Sequence, residues 1–247
     1  MSDSAGVPWE GRHFEHGESS DDDGSAPEKL VEAIRRFHAR ELGEADVVDA
    51  LRDERLLIPL VAQLGDGGVD HRGAEKSQEL SIVTVIGPDG RRVLPAFTSV
   101  TAMTAWNPKA RPVPATAGRV ALAAASEDTD LVVLDPTSDT EFVIRRPALW
   151  ALAQSRQWSP SYLDREVLAA FMAAAEPEPA VLAVQLAPGD PGSRLAGPEL
   201  LVQSSLAEGL DRAALDAIVA RLQRRWAEDE VIAARVDSLR LQLVGSA

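Results

Sequence analysis

Residues 80–97 read LSIVTVIGPDGRRVLPAF, and this stretch decides the class of the fold. Two largely apolar runs, Leu80–Ile86 and Arg91–Phe97, flank the tetrapeptide GPDG. Pro88 fixes its own φ and Gly90 tolerates positive φ, so the tetrapeptide is suited to a tight turn between two strands. The stretch therefore predicts a β-hairpin.

A second pair of strands is predicted where the apolar run Leu131–Leu134 is followed by turn residues 135–139 and a returning run at 141–144. Helices are predicted beside these pairs, at the alanine-rich stretch Gly118–Ser126 and over residues 147–154. Because the strands come in antiparallel pairs and do not alternate strictly with helices, the sequence favours an α+β fold. We expect an antiparallel or mixed sheet with flanking helices.

The chain starts its regular structure at Ser25, which is predicted to cap a helix whose first turn contains Pro27 and Glu28. A strand is predicted at Leu56–Leu64, and Pro59 within it favours an edge or bulged position in the sheet. Both elements belong to the first of two sequential α+β units.

The two units are predicted to span residues 25–155 and 156–247, because a linker containing Trp158 and Pro160 separates two sets of elements. The elements predicted for the second unit are the helices Asp164–Ala175 and Asp211–Glu228 and the strands Ala180–Leu186, Glu199–Leu206 and Leu239–Val244. Apolar residues recur along one side of the second helix, including Ile218 and Leu222, and this stripe is interpreted as a core face.

Residues 1–24 are polar, acidic and without periodicity, so they are predicted to form a disordered tail. The first 28 residues contain eight Asp and Glu residues and one Arg, which gives −7 of the formal net charge of −14. The rest of the chain is moderately acidic and has no long basic run, so nucleic acid is not an expected partner.

Other classes of protein are excluded by composition. The chain has no cysteine, which excludes disulfides, thiolate nucleophiles and cysteine-ligated metals. No apolar segment typical of a secretory signal follows the N-terminus. The longest apolar run, Val167–Ala175, has nine residues and is too short to span a membrane. We therefore expect a soluble cytoplasmic protein without a membrane partner.

The candidate site is the corner where the strand ending at Phe97 turns into a short helix. Thr98 or Ser99 is predicted to be the N-cap of that helix, whose first N–H groups could bind an anion. Three residues would complete such a site, with two cations as countercharge and an indole ring as a flat face: Lys109, Arg111 and Trp106. The purely structural interpretation is favoured: the hydroxyl caps the helix, the ring packs in the core and Asn107-Pro108 ends the helix.

No catalytic or metal-binding motif accompanies this corner. The sequence contains neither a Gly-x-Ser-x-Gly elbow nor a His-Glu-x-x-His motif. His13 and His16 lie in the acidic tail and are interpreted as solvated, His38 is interpreted as structural, and His71 has no nucleophile signature nearby. No catalytic residue, metal or cofactor is therefore predicted.

Several short motifs in this order resemble the SseB family, especially its actinobacterial branch. The motifs are Val83-Thr84-Val85, Pro88-Asp89-Gly90-Arg91, Leu94-Pro95-Ala96-Phe97-Thr98-Ser99, Ala105-Trp106-Asn107-Pro108-Lys109-Ala110-Arg111-Pro112-Val113-Pro114 and Leu131–Pro136. The resemblance is strongest over residues 55–155 and continues more loosely into the second unit, at 163–167 and 209–211. The family name refers to enhanced serine sensitivity, and the resemblance brings no catalytic residues with it.

The sequence thus favours a non-catalytic cytoplasmic adaptor or regulatory binding protein, with a link to amino-acid (serine) metabolism suggested by the family name. Its expected partner is another protein. The alternative is an enzyme or ligand sensor that binds a small anion at the Thr98/Ser99 helix N-terminus. A secretion-related role is disfavoured, because no signal or amphipathic membrane segment is present. An adaptor should show an exposed apolar patch or an open strand edge, whereas an enzyme should show a pocket with convergent titratable groups.

Overall fold

The computed structural model describes residues 22–63 and 79–244. The predictions for the acidic tail up to residue 21 and for His71 lie outside these residues. The α+β class is confirmed, because the described residues form helices and three antiparallel or mixed sheets. Among the described helices, none is both long and apolar enough to cross a bilayer.

The first unit contains five helices and seven strands in its described residues. The helices are α1 Glu28–His38, α2 Glu44–Leu51, α3 Val100–Trp106, α4 Ala117–Ser126 and α5 Arg146–Ala153. The strands are β1 Arg55–Gln63, β2 Glu79–Ile82, β3 Val85–Ile86, β4 Arg92–Ala96, β5 Arg111–Thr116, β6 Leu131–Leu134 and β7 Phe142–Arg145.

Two sheets run through this unit, in the orders β2-β1-β5 and β3-β4-β6-β7. They meet where Leu57 and Phe97 exchange backbone hydrogen bonds of 2.8 and 2.9 Å. The predicted hairpin is confirmed, since β3 pairs antiparallel with β4 and Gly90 in the turn has a φ of +83°. Its first strand is shorter than predicted, because the run 80–86 is divided between β2, which pairs with β1, and β3.

The prediction that Pro59 places its strand at an edge or a bulge is wrong, because β1 lies between β2 and β5 and pairs with β5 in an unbroken register over residues 55–60. The N–H and C=O of Leu57 point to Phe97, away from β5. Residues two positions apart in a strand point their backbone groups to the same side, so the nitrogen of Pro59 also faces away from β5. Proline at this position therefore costs β1 no hydrogen bond to β5. Strand β5 is an edge of this sheet, and it was not predicted as a strand.

Helix α1 also begins differently from the prediction. Its N-cap is Pro27, no side chain caps its first turn, and Ser25 lies outside the helix. The apolar side of α1 packs with α2, α4 and α5 against one face of the sheets, and the ring of Phe37 meets that of Phe142 edge-on at 5.3 Å. The other face of β4, β6 and β7 holds a smaller cluster that includes Val133 and Val143.

The second unit packs three helices against one face of a three-stranded sheet. The helices are α6 Arg165–Ala175, α7 Arg212–Glu228 and α8 Glu230–Arg235, and the strands are β8 Val181–Pro188, β9 Leu200–Leu206 and β10 Leu239–Val244. Strand β9 is central, antiparallel to β8 and parallel to β10. The core-face prediction for α7 is confirmed, since Ile218, Leu222 and Trp226 are buried. Helix α8 was not predicted.

Leu222 provides a direct test of this core, because its side chain is only 1% exposed. Leu222→Ala is expected to lower the free energy of unfolding by about 2–5 kcal/mol, since it removes buried methyl groups and leaves a cavity. The matched control is Leu122→Ala, at a helical leucine that is 61% exposed, and its effect should be small. Urea unfolding of both variants measures the difference, and equal effects would show that the α7 stripe is not the core.

Candidate binding surface

The corner after Phe97 is closed by the protein itself. Ser99 is the N-cap of α3, and its Oγ accepts the N–H of Ala102 at 3.0 Å, which confirms the predicted cap. The N–H of Val100 donates to the carbonyl of Gly24 at 2.9 Å, so another donor of the first turn has a backbone acceptor. These two N–H groups are therefore not free to hold an external anion.

Thr98 is buried beside a carboxylate of this chain. Its N–H and its Oγ1 donate to the two carboxylate oxygens of Asp135 at 2.8 and 2.7 Å. Thr140 donates to the same carboxylate at 2.8 Å. Asp135 follows β6, so these bonds fix the turn after β6 against the end of β4. The anion that Thr98 binds in this structure is Asp135.

The other three predicted residues lie at or beyond the opposite end of α3. Trp106 is partly buried and packs on Phe97 with ring centroids 5.3 Å apart. Lys109 and Arg111 are exposed and follow the C-cap residue Asn107. A seven-residue helix, about 10 Å long, separates them from Ser99. The structure does not bring the five residues together, and ligand binding at this corner stays a prediction of the sequence.

The two units are joined by a buried ion cluster that the sequence analysis missed. Arg145, at the end of β7, has a side chain that is 7% exposed. Its guanidinium binds Asp190 at 2.7 Å and Asp237 at 3.1 Å, both of them from the second unit. Arg91 reaches Asp237 at 2.9 Å. Removing one partner of such a cluster would leave a buried charge unpaired, which is strongly destabilising.

The loop between β8 and β9 covers the first unit at this junction. Its Leu195 is buried in the small cluster with Val133 and Val143. The carbonyl of Ser193 accepts the N–H of Val143 at 2.8 Å, so the open side of β7 is paired. The hydroxyl of Ser193 donates to Glu44 at 2.5 Å. The loop thus closes an edge of the first unit's sheet.

Two carboxyl groups at the junction are held in a poorly solvated setting. Burial raises the pKa of Glu44 above its ordinary 4.5, against the lowering effects of the Ser193 hydrogen bond and of Arg145. Burial likewise raises the pKa of Glu199, against the hydrogen bond from the Asp237 N–H. Both groups are stabilised in their protonated form, and the junction is consequently sensitive to pH.

Strand β8 is an edge that nothing in the described part of the chain covers. It has no charged residue over eight positions, although 26% of the chain is charged and about two would be expected. The other edges are short, charged or covered: β2 and β3 have only four and two residues, β5 carries Arg111 and two prolines, β10 carries Arg240, and β7 is covered by the loop of Ser193. An unprotected edge of this kind is a template for pairing with another strand.

An apolar groove lies beside this edge, between the end of α6 and the start of β8. Its volume is about 430 Å³, and its apolar lining includes Met172 and Val184. Leu182 is 59% exposed there because a β-bulge places it between two residues that pair with adjacent positions of β9. Arg221 and Arg225 hold Glu178 at the groove, and their hydrogen bonds lower its pKa to about 2.

The sequence predicted a helix and a strand around this groove, but no binding site. A signal was present: residues 181–188 contain apolar or small side chains at nearly every position, where a strand with one solvated face should alternate with polar ones. In the described ranges, no group of three or more histidine or acidic residues is placed to hold a metal ion.

The cap predicts a specific cost. Ser99→Ala should lower the free energy of unfolding by about 0.5–2 kcal/mol, because the Ala102 N–H loses its acceptor. Lys109→Ala, which removes an exposed charge, should change it much less. Thermal unfolding of both variants measures the two effects. A larger loss from Lys109→Ala than from Ser99→Ala would contradict the structural role of the corner.

The junction predicts a pH dependence. Because the pKa of Glu44 is raised on folding, its contribution to stability is complete below pH about 4.5 and is lost as pH rises through the raised value. Relative to the parent, Glu44→Gln should therefore become more stable as pH rises. Urea unfolding at several pH values measures this trend. The exposed Glu228→Gln is the control for losing one charge, and the same trend in both would contradict the assignment to Glu44.

Comparison with known proteins places the fold in a family. No significant match to the chain is found among curated proteins or among solved structures. The family model of the SseB protein N-terminal domain matches residues 29–151, about half of the chain and nearly all of the first unit. The region it matches contains the hairpin, the α3 corner and Arg145, and the chain therefore belongs to the SseB family.

Proposed function

We propose that this SseB-family chain is a non-catalytic adaptor or regulatory protein that binds an extended segment of another protein along β8. The observation that carries the proposal is the uncovered, uncharged edge of β8 beside an apolar groove. Addition of a strand to such an edge gives affinity through main-chain hydrogen bonds and specificity through side-chain pockets.

The hydrogen-bonding groups that a segment would meet follow from the register of β8. Gly189 donates its N–H to the carbonyl of Glu199, the residue before β9, so the odd-numbered residues of β8 after the bulge, 183–187, point their backbone groups to β9. Val184 and Leu186 consequently point their N–H and C=O groups to the open side. Pro188 has the same orientation, and its missing N–H costs no bond to β9. A docked segment can therefore form backbone hydrogen bonds with both Val184 and Leu186.

The groove supplies apolar contact beside this ladder. Met172 and Leu182 are 55% and 59% exposed, and apolar side chains of this size cluster on a surface mainly where a partner binds. The carboxylate of Glu178 is engaged by two arginines, and Glu176 is the other acid in a lining that is otherwise apolar or small. The chemistry of the groove supports binding rather than catalysis.

The setting of this interaction is part of the same proposal. We place it in the cytoplasm, in agreement with the lack of cysteine and of a long apolar run. The family name suggests amino-acid (serine) metabolism as its context. These assignments rest on the sequence and on family membership, and identification of the bound protein tests them.

The proposal predicts which substitution abolishes binding. Affinity capture from the native cell extract should use three baits: the parent, Leu182→Asp and Leu122→Asp. The two leucines are similarly exposed, at 59% and 61%, but only Leu182 borders the groove. A protein partner should be retained by the parent and by Leu122→Asp and lost with Leu182→Asp, since the charge would have to be desolvated on docking.

The captured partner then permits a second measurement. Its addition to the parent protein should slow amide hydrogen exchange at Val184 and Leu186, whose N–H groups are unpaired on the open edge. Partners that bind all three baits equally, or protection confined to another strand, would contradict the proposed docking along β8.

A further inference from the structure

We infer that a second copy of the chain occupies β8 when no partner is bound, so that a symmetric dimer regulates the binding surface. The inference rests on the proposed function, because both require β8 to accept a strand. It adds the identity of the competing occupant and its register. A protein with one long unprotected edge needs something to cover it, since open edges pair indiscriminately with other chains.

The charge of the strand favours a copy of itself. A two-fold axis places the same patch of surface on both subunits, so each charged side chain would approach its own counterpart. The chain after residue 28 still has −7 of the net charge of −14, so a surface rich in carboxylates would repel the same surface of a second copy. Strand β8 contains no charge at all, and it can therefore pair with itself without bringing like charges together.

The backbone sets the register of such a pair. With the two-fold axis at Gln185, Val184 of one copy lies opposite Leu186 of the other, and each outward N–H of these residues meets an outward C=O. An axis at Leu186 would place Val184 opposite Pro188, which has no N–H to donate. An axis at Val184 would use Leu182, which is displaced by the bulge. The register centred on Gln185 is the one that pairs every outward group of Val184 and Leu186.

The residue at this axis suits the arrangement. Gln185 is exposed on the face of the sheet away from the helices, in register with Gln203 and Gln242. The side chains of Gln203 and Gln242 already bond each other at 3.1 Å. A primary amide is both donor and acceptor, so two Gln185 side chains opposite each other can exchange hydrogen bonds. The dimer would extend this row of glutamines across both sheets.

Side chains on the other face gain from the same pairing. Val184 and Leu186 are partly buried in the core of the second unit, and each is left open on the edge side. In the dimer they lie beside their counterparts, and the groove lined by Met172 receives apolar side chains of the second copy. This burial excludes water from the surface that a protein partner would otherwise use. Partner binding and dimer formation therefore compete.

The test is the mass of the full chain by sedimentation equilibrium over an about 100-fold range of protein concentration. The parent should change with concentration from the mass of one chain, 26.4 kDa, to twice that mass. Gln185→Lys places two ammonium groups opposite each other at the axis, and should weaken self-association at least about tenfold. The control is Gln242→Lys on the same face of the sheet at β10, which should dimerise as the parent does. Circular dichroism shows that each variant is folded.

A charge-complementation experiment fixes the register. Gln185→Lys and Gln185→Glu should each be mainly monomeric alone, and an equimolar mixture should form heterodimers because the two charges meet at the axis. A parent that stays monomeric throughout, or a dimer insensitive to Gln185→Lys, overturns the inference and leaves the proposed function standing. A dimer that behaves as expected, with no captured protein lost on Leu182→Asp, supports pairing of two copies along β8 but overturns the proposed function and, with it, the regulation of partner binding.

Discussion

The structure depends on one buried guanidinium. Arg145 ends the last strand of the first unit and holds two carboxylates of the second unit: Asp190, which follows β8, and Asp237, which precedes β10. Neither carboxylate could be buried without a counterion, and Arg145 could not be buried without them. Nearby, Arg146 donates to the carbonyls of Ala233 and Val236 at the end of α8. The two adjacent arginines thus set the position of the second unit. In this position Leu195 is buried in the cluster with Val133 and Val143.

The same attachment determines which strand edges stay open. Once the loop of Ser193 lies on β7, the four-stranded sheet is closed on that side. Strand β5 is closed by two prolines whose nitrogens point outward, so its edge lacks the donors that pairing would need. Strand β8 leads into the same loop. On its outer side, which faces away from β9, Val184 and Leu186 have free N–H donors, whereas Pro188 has none. The chain thus protects the edges at β5 and β7 and leaves β8 unprotected.

The elements that sequence patterns predicted are those that local chemistry specifies. The turn at Gly87–Gly90, the cap at Ser99 and the apolar side of α7 each depend on residues within a few positions of one another. Strand β5 was missed because proline is neutral at a sheet edge when its nitrogen faces outward, and only the pairing with β1 shows which way it faces. Arg145 was missed because its partners lie 45 and 92 residues away along the chain. The groove at Leu182 depends on a bulge that only the register of β8 with β9 reveals.

The candidate binding surface also lies outside the part of the chain that the family model matches. That match ends at residue 151, whereas Met172 and β8 belong to the second unit. The matched unit contributes the corner at Ser99, which is occupied by the chain's own groups, and the arginine that anchors the second unit. The family match therefore covers the scaffold of the first unit and includes Arg145. The proposed binding surface therefore lies in the second unit, where a neutral strand and an exposed leucine face solvent.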